Sequence, residues 1–190
     1  MMRIITGKAK GIKLSTLDGD ETRPTAERVK EAIFSMIQFD IEGRRILDLF
    51  SGSGQMGLEA VSRGASHAVM VDKSKNAIRI IESNVTKTKL SGQCTVINSD
   101  ATDYIKRSKG EKFDIVFIDP PYASGLYAPI LLELKKSDLL KPTSLVICEN
   151  DYEGLISSSP ELEAIYKVKK SSKYSKTVIT VLETQDKEFK

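Results

Sequence analysis

At 190 residues, with 40% hydrophobic and 29% charged side chains and a net charge of +3, the chain has the balance of one globular domain. That excludes disorder throughout, and no apolar run approaches the ~20 residues that spanning a bilayer requires. The opening residues, Met1 to Leu14, lack the apolar block of a signal peptide, so a cytoplasmic protein without a membrane partner is expected. Cys94 and Cys148 stand far apart in apolar surroundings with no metal-ligand spacing, and read as buried reduced thiols. His67 is the single histidine, which leaves almost no room for a Ser-His-Asp triad or a histidine metal site.

In chain order, residues 3–14 read as a small hairpin, punctuated by Gly7 and Gly11. They carry Arg3, Lys8, Lys10 and Lys13 without an acid among them, a candidate contact for nucleic-acid phosphate. A helix opened by Arg23-Pro24-Thr25 follows, with Thr25 as its expected cap and Ala26, Val29, Ile33, Met36 and Ile37 as its apolar face. Short apolar runs then predict buried strands at Arg45 to Phe50, Ala68 to Val71, Phe113 to Ile118 and Ser144 to Cys148, with a weaker one at Cys94 to Ile97. Helices are predicted between them, from Gln55 to Arg63, Ser74 to Leu90, Ala101 to Ser108 and Tyr127 to Lys136. This alternation predicts an α/β fold, a parallel sheet with helices on both faces. At the far end, Leu162 to Lys169 and Lys176 to Leu182, separated by Ser171-Ser172-Lys173, predict an antiparallel strand pair. Lys167, Lys169, Lys170, Lys173 and Lys176 make a second stretch without an acid, and residues 185–190 read as a frayed tail.

The segment Asp48-Leu-Phe-Ser-Gly-Ser-Gly-Gln-Met-Gly57 leaves a predicted strand and enters a predicted helix. Gly52 and Gly54 allow a sharp turn against which a ligand can lie, and Gly57 allows close packing of helix on sheet. Asp72, roughly 20 residues beyond Gly52, ends the next strand, where a carboxylate can accept from ribose hydroxyls. The pattern fits dinucleotide enzymes and S-adenosylmethionine enzymes alike. Asp48, just upstream of the turn, suits a cationic cofactor better than a pyrophosphate, and Asp100 can accept from an adenine amino group. Asp48, Asp72 and Asp100 thus follow consecutive strands on the carboxyl edge.

Asp119-Pro120-Pro121-Tyr122 follows the fourth strand directly. An exocyclic amino group is a poor nucleophile because its lone pair is delocalised into the ring. The Asp119 carboxylate and the Pro120 carbonyl can accept its two N–H bonds and favour a tetrahedral nitrogen, the prolines stiffen the loop, and Tyr122 offers a stacking face. No metal is required.

With Arg3-Ile-Ile-Thr-Gly-Lys8, Arg23-Pro-Thr25, Arg28-Val-Lys-Glu-Ala-Ile-Phe34, Asp48 to Gly54, Gly57-Leu-Glu-Ala60 and Asp119 to Tyr122, the sequence resembles the RsmD family of small-subunit ribosomal RNA guanine-N2 methyltransferases. The resemblance implies a class I S-adenosylmethionine-dependent fold, Rossmann-like, with seven strands, the last antiparallel. In that picture residues 1–22 form a basic hairpin extension and 23–184 the core of a single methyltransferase domain. It implies that Asp48, Ser51, Gly52, Ser53 and Gly54 line the cofactor, that Asp72 holds the ribose and that Asp100 lies near the adenine. Arg23 and Thr25 would lie close to cofactor or target, and Asp119 to Tyr122 would face the guanine. Where relatives often carry glutamate, this chain has Asp72, one methylene shorter, with ribose contact expected to survive. The implied partner is small-subunit ribosomal RNA, in a partly assembled particle, and the expected state is a monomer. Methylation of adenine N6 or of a protein glutamine fits the tetrapeptide too. A non-catalytic binding module is a weaker alternative, since a binder has no need to hold an amino group in line, and an NAD-dependent dehydrogenase is the weakest, since no candidate proton donor stands near the site.

Overall fold

The structure is a computed structural model and describes residues 2–17, 24–121, 124–157 and 159–185, with side chains from 27 onward in the second stretch. Its elements are α1 (Pro24–Met36), β1 (Arg45–Asp48), α2 (Gln55–Ser62), β2 (His67–Asp72), α3 (Lys75–Thr88), a short 3-10 turn, β3 (Cys94–Asn98), α4 (Ala101–Arg107), β4 (Phe113–Ile118), α5 (Tyr127–Lys136), β5 (Leu140–Asn150), α6 (Pro160–Ile165), β6 (Tyr166–Tyr174) and β7 (Thr177–Thr184). The seven strands lie in the order β3-β2-β1-β4-β5-β7-β6. β1 to β5 are parallel, and β7 runs antiparallel between β5 and β6.

The apolar runs behave as their composition requires: β4 is buried along its whole length because helices cover both faces. Ile46, Met70, Ile115, Phe117 and Ile147 meet α1, α2, α3 and the N-terminal segment on one face. Leu47, Val71, Val116, Ile118 and Cys148 meet α4, α5 and α6 on the other. Gly57 is needed for this packing, since a Cβ there would lie 2.7 Å from Met70 Cγ. Cys148 is buried and Cys94 only half-buried; both are free thiols, and burial pushes Cys94 up to about 12. His67 begins β2 and its Nε2 meets Thr95 Oγ1 at 2.8 Å.

Three expectations need correction. α1 starts at Pro24, where the missing N–H costs nothing, so Thr25 lies inside the helix and is not its cap. Residues 160–165 are helical, not strand: the Ser159 hydroxyl accepts from the Leu162 N–H, Pro160 opens the helix, and Glu161 and Glu163 sit in its first turn. The β6–β7 turn falls at Ser175 and Lys176, with Ser175 at a φ of 59°, so Ser171 to Lys173 remain in the strand. Arg23, Tyr122 and the tail 186–190 lie outside the described residues.

The N-terminal segment folds back as a single antiparallel bridge, Arg3 to Lys13, rather than a full ladder. It is bound to α2 instead. Glu59, fully buried, accepts from the N–H groups of Ile5 (2.8 Å) and Thr6 (3.0 Å). Arg63 pairs with the same carboxylate at 2.8 Å and Lys30 at 3.5 Å, while Lys30 Nζ also donates to the Arg3 carbonyl. Burial pulls the Lys30 pKa down and Glu59 opposes the shift. Gly7 presses so closely on Ser62 that a Cβ would lie 1.7 Å from its carbonyl oxygen.

Removing one partner of such a buried network strands the others. Glu59→Ala should cost about 3–5 kcal/mol of stability in urea unfolding and make residues 2–14 the first site of limited proteolysis.

Candidate active site

Strand order reverses between β1 and β4. The connections from β1 through β3 run over one face and those from β3 through β5 over the other, which leaves a crevice at the carboxyl ends of β1 and β4. Asp48 ends β1 opposite Phe117 of β4, and Asp119 follows two residues beyond Phe117. The candidates Asp48, Ser51, Gly52, Ser53, Gly54, Asp72, Asp100 and Asp119 to Pro121 therefore gather along one edge, whereas Arg3, Lys8, Lys10 and Lys13 lie on the N-terminal segment, which is bound to the far end of α2.

The turn after β1 is held by its own backbone and by β2. Gly54 N–H donates to Ser51 O (2.6 Å), Ser51 N–H to Val71 O (3.0 Å) and Ser51 Oγ to Asp48 O (2.8 Å). Gly52 and Gly54 have φ values of 53° and 77°, the left-handed region that glycine enters without strain. A Cβ at Gly52 would meet nothing within 4 Å, so this peptide faces open space. Asp72 has a second task beyond the expected one. Its Oδ2 accepts from the Gly52 N–H at 2.9 Å and its Oδ1 from the Ser74 N–H at 2.8 Å, clipping the turn to β2. Asp100 is exposed and caps α4, its Oδ1 accepting from Thr102 N–H at 2.9 Å and Asp103 N–H at 3.5 Å.

Asp48 is 4% exposed, and its Oδ2 has no hydrogen-bond partner among the described residues. Burial pushes its carboxyl up to about 7, against the Gly57 backbone N–H, which favours the charged form; the nearby charge of Asp72 raises it further. A buried carboxylate with an orphaned oxygen beside an open glycine turn fits a cationic ligand. Asp119 and Pro121 are exposed and Pro120 is buried.

Residues that the sequence reading did not single out complete the walls. Asn84 of α3 is fully buried and donates to Ser53 O and Ser15 O, both at 2.9 Å, while its Oδ1 accepts from Ser15 N–H at 2.8 Å. It ties the glycine turn to the N-terminal segment, and Ser53 Oγ meets Met2 Sδ at 3.0 Å. The signal was a polar residue on the apolar face of an amphipathic helix, between Ile81, Val85 and Thr88. Past β4, the Tyr127 hydroxyl donates to the Glu149 carbonyl, and Tyr152 packs edge-on against Tyr127 with centroids 6.4 Å apart. Arg3, Lys8, Lys10 and Lys13 are all exposed, and Arg3 pairs with Glu27 at 3.0 Å. Three of the five C-terminal lysines are ion-paired: Lys167 and Lys169 both with Glu183, and Lys173 with Glu153.

The strand order, the glycine turn after β1 and the carboxylate ending β2 define the class I S-adenosylmethionine-dependent methyltransferase fold, whose cofactor is S-adenosylmethionine. Within that class the chain belongs to the RsmD family, described as Conserved hypothetical protein 95, which it matches over residues 2–182. It is 38% identical over 156 residues to the putative rRNA methyltransferase YlbH of Bacillus subtilis, covering 80% of this chain and 84% of that one. It is 32% identical over 168 residues to ribosomal RNA small subunit methyltransferase D of Escherichia coli K12, covering 88% and 84%. The solved structure of the putative methyltransferase yhhF from Escherichia coli superposes with a TM-score of 0.84 at 29% identity, over 97% of this chain and 98% of that one.

The raised pKa of Asp48 has a stability consequence. A carboxyl at about 7 when folded and 3.8 when unfolded binds its proton more tightly in the native state. Its contribution to stability therefore falls as the pH rises through that window. Between about pH 5 and about pH 8, wild type should lose about 2–3 kcal/mol relative to Asp48→Asn in the ligand-free protein, measured by urea unfolding of both.

Proposed function

We propose that this protein methylates the exocyclic N2 amino group of a guanine in small-subunit ribosomal RNA, using S-adenosylmethionine. The observation that carries the reading is the placement of Asp119-Pro120-Pro121 at the end of β4, directly across the strand-order reversal from the orphaned carboxylate of Asp48. The relatives named as ribosomal RNA small subunit methyltransferases support the substrate class. Ribosomal RNA as substrate would make the site of action cytoplasmic, and the protein acts as a monomer on a partly assembled subunit.

When bound, S-adenosylmethionine supplies a methyl group made electrophilic by its sulfonium. The chain's own residues do the rest. Asp48 balances the cofactor's positive charge, the Gly52 to Gly54 turn accommodates it without side-chain obstruction, and Asp72 offers its remaining lone pairs to the ribose. Ser51 and Ser53 complete the turn, and Asp100, still capping α4, borders the adenine. Arg23 and Thr25 are assigned contact with cofactor or target on the family resemblance. Asp119 and the Pro120 carbonyl accept the two N–H bonds of the target amino group, so its lone pair is drawn out of conjugation and aimed along the transfer axis. The Tyr122 ring stacks on the base, which must be unpaired or flipped out to reach it. Lys8, Lys10 and Lys13, with Arg3, hold the phosphate backbone.

With labelled cofactor and small subunits from a strain lacking this protein, nucleoside analysis should show N2-methylguanosine; N6-methyladenosine instead would refute the assignment. Asp119→Ala should lower kcat about 100-fold or more while leaving the affinity for S-adenosylhomocysteine unchanged. Replacing Lys8, Lys10 and Lys13 together with alanine should weaken RNA binding and reduce the slope of log K against log salt by about 2. An unchanged slope would move the RNA contact elsewhere.

A further inference from the structure

The carboxyl end of β5 carries a residue that neither the glycine turn nor the Asp119 loop accounts for. Ile118 and Cys148 are partners across the parallel β4–β5 ladder, so Asp119 and Glu149 are the next residues on two hydrogen-bonded strands. Phe117 and Ile147 pack on the α1 side of the sheet, and Ile118 and Cys148 on the opposite side. Side chains alternate along a strand, so the register sets Asp119 and Glu149 side by side towards α1, the side on which Asp48 also lies through its pairing with Phe117. Both acids act on the titration of Tyr127, whose hydroxyl is bound to the Glu149 carbonyl.

Structural carboxylates of this protein are paired. Asp114, at the other end of β4, takes Arg44 (3.1 Å), Lys141 (2.8 Å) and the Arg45 N–H (2.9 Å), and these bonds hold its pKa low despite burial. Glu149 is the reverse: half-buried, with burial raising its pKa and no ion pair among the described residues. Such a group is costly to the fold and is suited to a ligand that brings its own donor.

The target base brings one. In guanine the 2-amino group is flanked by N1–H, a donor. Once Asp119 and the Pro120 carbonyl hold both amino N–H bonds, N1–H still requires an acceptor on the same edge of the ring. We propose that the Glu149 carboxylate accepts the hydrogen bond from N1–H of the target guanine, and so rejects purines that present a lone pair at N1. This rests on the guanine-N2 reading above. A carboxylate facing a lone pair leaves two buried acceptors opposed, the kind of mismatch by which sites discriminate most strongly.

The test uses 2-aminopurine, which keeps the 2-amino group but has a lone pair at N1. Small subunits are reconstituted from RNA carrying either guanine or 2-aminopurine at the mapped target position. Wild type should methylate the 2-aminopurine particle at least about 100-fold less efficiently in kcat/KM. Glu149→Gln, whose amide can donate to N1 or accept from N1–H, should narrow that ratio at least about tenfold, with S-adenosylhomocysteine affinity unchanged. Equal use of both particles by wild type overturns the proposal without need of any variant, and leaves the guanine-N2 reading intact. So does an unaltered ratio in Glu149→Gln. Absence of N2-methylguanosine from the wild-type guanine reaction would instead remove the reading on which the proposal stands.

Discussion

The reversal of winding between β1 and β4 is the constraint on which the rest of this molecule depends. Right-handed crossovers send α2 and α3 over one face and α4 and α5 over the other, so no connection closes the gap above the two central strands. The carboxylates Asp48, Asp72, Asp119 and Glu149 all fall at or just past strand ends beside that gap. Asp48 and Asp72 stand on one side, and Asp119 and Glu149 on the other. The two groups of carboxylates are thus separated by the spacing of adjacent strands.

Rigidity at the glycine turn comes from side chains that serve two masters. Asp72 binds the Gly52 N–H while its remaining lone pairs face outward, and Asn84 joins the same turn to Ser15. The N-terminal segment, held by Glu59 and Asn84, is accordingly one body with the turn. Asp48 is the exception, a buried charge with one unsatisfied oxygen. Apolar side chains from two cores enclose the strands around it, and that burial is what raises its pKa.

How far the sequence reveals this depends on how each element is buried. Strands enclosed on both faces are continuous apolar runs: Phe113 to Ile118 coincides with β4, and the strand expected at Ala68 to Val71 extends by one residue at each end in β2. The candidate residues at strand ends and glycines stand out in the sequence for the same reason, since they interrupt those runs. β6 does not. Lys167, Lys169 and Lys170 are exposed, and past Tyr166, which is buried against α5, the strand follows the rim of the sheet with β7 as its strand partner. The helix α6 was hidden by its shortness, with Leu162 its only buried residue. Glu59 and Asn84 escaped because apolar periodicity counts them as breaks, whereas their hydrogen bonds make them core. Glu149 was passed over as the polar end of a strand, and only the register with β4 sets it beside Asp119.

The ion pairs along β6 bear on how the protein behaves at high concentration. With β7 inserted between β5 and β6, the last-but-one strand of the chain becomes the outer rim of the sheet, offering unpaired amides and carbonyls to any passing strand. Lys167 and Lys169 are anchored there by Glu183 and Lys173 by Glu153, so fixed positive charges flank the rim. Charged side chains along an exposed strand are a device that works against edge-to-edge pairing, and this rim carries them in paired form.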